Sequence, residues 1–132
     1  MEMEIKHSFN SFELFLSKFF RVNMRSMEFK YTKIVIYVPE THADIIRKTL
    51  GESGAGHIGN YDFCSFSSKG VGRFKPLTGS EPFIGETGKI EEVLEERIET
   101  VCELVNLDAV LAAVRKVHPY EEPVIDVYPL MI

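Results

Sequence analysis

Cysteine is scarce in this chain: Cys64 and Cys102 are the only two among 132 residues. They lie far apart and form no CxxC pair, so a secreted disulfide framework is not expected. Buried, reduced thiols in a cytoplasmic protein are the expectation, and Cys64 has phenylalanines within two residues on both sides. No apolar run approaches the ~18–20 residues that span a membrane. Positive charge is in deficit, with 15 Lys and Arg against 20 Asp and Glu and a net charge of -5. With no basic patch interleaved with aromatics, nucleic acid is not an expected partner. No Ser-His-Asp or Cys-His spacing points to a nucleophile, and no Walker-type loop is present. Low-complexity segments are also missing.

What remains is one domain of ordinary globular composition, 45% hydrophobic and 27% charged. Its first 26 residues differ from the rest. They hold Phe9, Phe12, Phe15, Phe19 and Phe20, five of the ten phenylalanines. Phe12, Phe15 or Leu16, and Phe19 fall at helical spacing, with Ser8 or Ser11 as a cap. Early acids, the interruptions at Glu13 and Lys18, and the missing small-residue cleavage site argue against a signal peptide. Residues 1–26 therefore read as an N-terminal extension, either an appended helix or non-native sequence ahead of a start at Met27. A membrane-surface helix is a third, weaker reading.

From residue 27 to 132 the pattern is regular. Lys33–Val38 is short and β-branched, as a buried strand should be. Thr41 offers a cap to a helix with Ala43, Ile45, Ile46 and Leu50 on its apolar face, ending at Gly51. Tyr61, Phe63 and Phe66 are strand formers, and Gly70–Pro76 continues in strand-like fashion. A long loop follows over 78–88, of the length that in compact domains is usually functional or oligomer-forming. Val93–Glu103 alternates and is expected to be a strand. Asn106 caps a helix over Leu107–Val117 with Ala109, Val110, Ala113, Val114 and Val117 as its stripe. Val124–Tyr128 is the last strand. The order β-α-β-β-α-β predicts an α+β, ferredoxin-like sandwich: a four-stranded antiparallel sheet with two helices on one face. The other face needs a cover, and a second subunit is the commonest one.

The chemistry concentrates in His118-Pro119-Tyr120-Glu121-Glu122-Pro123, where an imidazole, a phenol and two carboxylates sit between two prolines. Each proline pushes the residue before it out of the α region, so His118 and Glu122 should be extended. Such a segment either binds metal and moves protons or is a rigid turn in which His118 caps carbonyls. His57 lies in the glycine-rich Gly54–Asn60, where Gly56 and Gly59 allow a close approach of the backbone to a ligand. His57 and His118 each follow a helix, at matching points of the two halves. If those points share one end of the sheet, the two imidazoles with Glu121 or Glu122 suit zinc or copper. Cys64, water or a neighbouring subunit then supplies a missing ligand. Arg73 and Lys75, among glycines and hydroxyls, suit an anion held by backbone amides, or are solvated cations on a glycine-bulged hairpin. The acids Glu91, Glu92, Glu95, Glu96, Glu99 and Glu103 read as a solvated face.

Taken in order, Gly54–Tyr61, Gly72–Pro76, Gly79–Gly85, His118–Pro123 and Asp126–Leu130 resemble the insert domain of the NIF-three-like (YqfO-like) family, over about Phe29 to Leu130. That domain is similar in fold to CutA and PII signalling proteins. The resemblance implies a βαββαβ sandwich, supports the strand at Val93–Glu103, and implies a trimer-like assembly. Full-length members of the family carry a separate domain with a dinuclear metal centre of several histidines and glutamates. Four histidines do not supply one, so GTP cyclohydrolase chemistry is not implied.

The expectation is a stand-alone, cytoplasmic, homo-oligomeric module, trimeric by preference, that binds a divalent metal ion or a small ligand. Its expected metal ligands are His57, His118, Glu121 and Glu122. Its other expected contacts are Tyr120, Arg73, Lys75, Gly56 and Gly59. A small metal-assisted hydrolase with Glu121 or Glu122 as base, and a structural or partner-binding protein with no small ligand, are the alternatives.

Overall fold

A computed structural model describes Ser11 and residues 29–132. The expected helix around Phe12–Phe19 lies outside the described residues. Strand β1 runs over Tyr31–Pro39, helix α1 over Ala43–Ser53, β2 over Phe66–Phe74, β3 over Glu91–Glu103, α2 over Leu107–Val117 and β4 over Ile125–Leu130. Short 3-10 turns at Glu40–His42 and Leu104–Asn106 lead into the two helices. The sheet order is β2-β3-β1-β4, and every neighbouring pair is antiparallel. This is the expected ferredoxin-like α+β sandwich.

Alternation along the strands builds the two faces. Ile34, Ile36 and Val38 of β1 and Ile98 and Cys102 of β3 pack with Ala43, Ile46 and Leu50 of α1 and Val110 and Val114 of α2. Both helices therefore cover one face of the sheet. Thr32 on that face donates to the Cys102 carbonyl at 2.9 Å, which satisfies its buried hydroxyl. Arg47 of α1 reaches Glu96 at 2.9 Å and Ser67 at 3.1 Å, tying the helix to β3 and β2. The other face carries Tyr37, Phe74, Glu95, Arg97, Asp126 and Tyr128 at the intervening positions.

Several local expectations shift. The cap of α1 is His42, with no side-chain bond from Thr41 to the helix; Thr41 Oγ1 lies 2.8 Å from His42 Nδ1 instead. The helix runs past Gly51 to Ser53, and Gly54, at φ 112°, ends it in the left-handed region where glycine is at no disadvantage. Asn106 holds the cap position of α2 without a side-chain bond. Tyr61–Ser65 is not strand. Phe63 takes φ 54°, its amide donates to Asp62 Oδ1, and the Cys64 amide donates to the Gly56 carbonyl. These local bonds compete with sheet pairing, which begins only at Phe66. Cys64 is half-buried and Cys102 buried, both as free thiols.

Candidate functional site

Pro119 sets the site's geometry. It forces His118 to an extended φ of -72° and ψ of 131°, which stops α2 and turns the ring back over the sheet. His118 is only 7% exposed. Its Nδ1 accepts the Tyr120 amide at 3.1 Å, so the ring proton sits on Nε2, which donates to the Tyr37 carbonyl at 2.8 Å. Burial holds the imidazole below its usual pKa, outweighing the Tyr37 carbonyl and the Glu95 charge, which act the other way. The Tyr37 amide in turn donates to the Val124 carbonyl at 3.2 Å. One residue of β1 thus clasps both ends of the 118–124 loop.

Tyr120 follows from that placement. Its ring stands edge-on to Phe74 at 5.8 Å and tilted against His118 at 5.2 Å. Its hydroxyl donates to Glu95 Oε2 at 2.8 Å. Burial and the adjacent carboxylate raise the phenol's pKa, so the group stays a hydrogen-bond donor. Glu95 is 9% exposed. Room for its carboxylate exists because the neighbouring strand has glycine at position 72: a side-chain carbon there would overlap it.

The long loop then closes the site. Glu121 Oε2 accepts the Glu81 amide at 2.9 Å, stapling the 76–88 loop to the 118–124 loop. Gly88 donates to the Pro76 carbonyl at 2.8 Å, and Ser80 binds the Leu77 carbonyl through both its amide and its hydroxyl. Between these segments lies a cleft of about 530 Å³, walled by Gly72–Leu77, by Ser80 and Pro82–Ile84, and by Tyr120–Glu122 with Val124. Tyr37 and Glu95 complete its lining. Phe74, Pro76, Leu77, Pro82, Phe83 and Ile84 make it largely apolar, in the size range of organic-ligand sites.

Five expected residues meet here: Arg73, Lys75, Tyr120, Glu121 and Glu122 all line the cleft. Arg73 points its Nε to Glu92 at 3.1 Å, so its charge is engaged on the far side of β2. Gly56, Gly59 and His57 are elsewhere. Gly56, at φ 80°, packs its Cα against Cys64 and donates to the Val101 carbonyl at 2.7 Å; it is a packing glycine. Gly59 turns the chain between Ile58 and Tyr61, which exchange backbone bonds at 2.9 Å. His57 is exposed, its Nδ1 3.9 Å from Asp62.

The expected pairing of His57 with His118 is therefore corrected. In this topology α1 descends from the upper end of β1 and α2 climbs back, so their C-terminal ends point opposite ways. His118 hangs from Tyr37, which pairs with Arg97, whereas the His57 loop hangs from Val101. Four residues of β3 separate these anchors by about 13 Å. Both nitrogens of His118 are also occupied. Among the described residues, no group of three or more His, Cys, Asp or Glu is placed to hold a metal ion. The zinc or copper site expected from His57, His118, Glu121 and Glu122 does not fit this arrangement.

Glu95, Phe74, Leu77 and Phe83 were not anticipated. Glu95 reads as one of a solvated acidic run. The signal that separates it is the Gly70-Val71-Gly72 stretch on the facing strand, whose missing side chains leave space, and the register that brings the two together is tertiary information.

Among the described residues, no helix is long and apolar enough to cross a membrane. No family model matches the chain. It is 54% identical over 98 residues to the GTP cyclohydrolase 1 type 2 homolog of Halalkalibacterium halodurans, covering 74% of this chain and 26% of that protein. The Bacillus subtilis protein of the same name is 51% identical over 98 residues, again covering 26% of its length. The chain thus spans about a quarter of the length of the curated relatives it matches. Among solved structures, a Bacillus cereus protein related to NIF3 superposes with a TM-score of 0.69 at 46% identity, over 79% of this chain and 26% of that one. The periplasmic divalent cation tolerance protein CutA from Archaeoglobus fulgidus gives 0.57 at 22% identity, over 77% of this chain and 85% of that one. At that identity the likeness shows the fold alone.

Proposed function

The described domain belongs to the NIF3-related (YqfO-like) family, as one segment of those longer proteins, and from that premise we propose that it is a homo-oligomeric module that binds a small organic ligand in the Tyr120 cleft. One observation carries this reading. Two stretches far apart in sequence, 72–84 and 120–124, converge with Tyr37 and Glu95 of the sheet on one apolar cleft with a few polar groups inside it. The fixed His118 and the Glu121–Glu81 bond hold that cleft open in one shape, and preformed sites lose less ordering entropy on binding.

Self-association is supported by the sheet face without helices. Phe66 and Tyr128 lie on it at 65% and 50% exposure, among Lys33, Arg97 and Asp126. A mixed aromatic and charged face of this kind suits a contact between copies, and a trimer is the assembly favoured. Sedimentation equilibrium of the full chain tests it: a monomer at micromolar concentration removes this half of the proposal.

The ligand half is tested by protein-observed NMR titration with a library of fragment-sized organic compounds. Binders should shift the amides of 72–77, 80–84 and 120–124. Leu77→Trp, which fills the mouth with a larger ring, should abolish those shifts. Binders that act only on other surfaces would overturn the assignment.

We read His118 as structural: with both ring nitrogens bonded to backbone, it locks the loop.

A further inference from the structure

The charge inside the cleft points to the class of ligand. This inference rests on the cleft being a binding site and goes on to what it selects. Glu95 is a carboxylate more than nine-tenths buried, and Tyr120 gives it one hydrogen bond. A carboxylate has about four acceptor positions, so most of its capacity is left over. No ion pair within 4 Å neutralises it among the described residues. Arg73 and Arg97, which line clefts with it, are engaged elsewhere. Arg97 pairs with Glu99 at 2.9 Å and lies over the Tyr37 ring, and Arg73 pairs with Glu92. His118 is neutral in the bonding pattern it makes. Among the described residues, the charged groups lining the cleft leave Lys75 as the one cation without an ion pair, against Glu95, Glu121 and Glu122, an excess of two negative charges.

A buried charge without a counter-charge is costly, and a ligand that supplies one gains what the protein lacks. The walls add a second requirement. Phe74, Phe83 and Tyr120 present aromatic surface and Pro76, Leu77 and Ile84 aliphatic surface around that carboxylate. Aromatic faces attract organic cations as well as apolar bodies.

We propose that the cleft takes an organic cation: a molecule with an amine, amidine or guanidine group for Glu95 and an apolar or aromatic body for the Phe74–Leu77–Phe83 walls. Anions are disfavoured by the same charge, which reverses the expectation that Arg73 and Lys75 hold one.

The test is a titration of the ¹⁵N-labelled full chain with three probes of one shape and different charge: benzamidine, benzamide and benzoate. Benzamidine should shift the 72–77, 80–84 and 120–124 amides and bind at least about tenfold more tightly than the other two, as a charge-assisted pair does over a neutral one. Glu95→Gln keeps an acceptor for Tyr120, and should remove that preference while benzamide binding survives. Glu122→Gln, at the exposed rim, should reduce the preference only slightly, and serves as the measure if the Glu95 variant unfolds. Equal binding of the three probes in the cleft would overturn the charge selection and leave the cleft as a binding site. Tighter binding of benzoate would do the same. No shift at the cleft with any probe would overturn both.

Discussion

The carboxylate of Glu95 occupies the space that a side chain at Gly72 would need. The two residues sit on neighbouring strands, where Gly72 pairs with Val93 and Gly70 with Glu95. Gly72→Ala should therefore push Glu95 off Tyr120 or distort β2. A loss of about 1–3 kcal/mol in urea unfolding is the expected outcome, the range for overpacking and for a disturbed buried hydrogen bond. Gly70→Ala is the control. Nothing lies within 4 Å of a carbon added there, so that variant should stay within about 0.5 kcal/mol of the parent. Equal effects from the two would refute the steric account.

His118→Ala should be the more damaging change. It removes a buried ring and leaves the Tyr37 carbonyl and the Tyr120 amide without their partners. The cost should be about 2–5 kcal/mol, combining a cavity with two unmet polar groups. Chemical denaturation measures it. A loss below about 1 kcal/mol would mean that the loop is held by something else.

Acid should weaken the fold through the same residue. The folded-state pKa of His118 is lowered by burial, so between that value and the unfolded value of 6.5 the unfolded chain binds more protons. Stability from this group is complete above the unfolded pKa and is lost as pH falls toward the folded one. Melting temperature should drop from pH 7 to pH 5, and His118→Gln should flatten that part of the profile. An unchanged slope in the variant would assign the acid sensitivity to other groups.

Tyr120→Phe deletes the hydroxyl that donates to Glu95. The carboxylate loses its donor, which should cost about 1–3 kcal/mol. In the parent protein, alkaline titration followed by ultraviolet absorbance should show one tyrosine ionising later than the rest, as burial and Glu95 dictate. That late phase should vanish in the phenylalanine variant. A parent titration with all tyrosines in one phase would contradict the buried pairing.

Much of the scaffold was legible because its signals are local. Ile34, Ile36 and Val38 alternate with residues of the other face, and Leu107–Val117 carries a 3.6-residue stripe, so β1 and α2 could be drawn directly. Pro119 announced the end of α2. Val93–Glu103 is rich in glutamate, yet its alternation marks a strand, and Ile98, Thr100 and Cys102 all turn to the helices. The site was half legible. Tyr120, Glu121, Glu122, Arg73 and Lys75 stood out by type and by motif, and they do meet. His57 was drawn in by a symmetry argument that ignored helix direction. Glu95 stayed hidden because only cross-strand register tells a buried glutamate from its solvated neighbours. Residue type alone says nothing about which gap across the sheet a side chain will fill.

That the single residue Tyr37 holds both ends of the 118–124 loop has a consequence for exchange with solvent. Most surface loops breathe independently of the sheet beneath them. Here, freeing His118 or Val124 strips a partner from a residue in the interior strand β1, opposite Arg97. The protons on the Tyr37 and Tyr120 amides should then trade with deuterium at one common, slow rate, set by opening of the strand. The cleft wall keeps time with the core of the sheet.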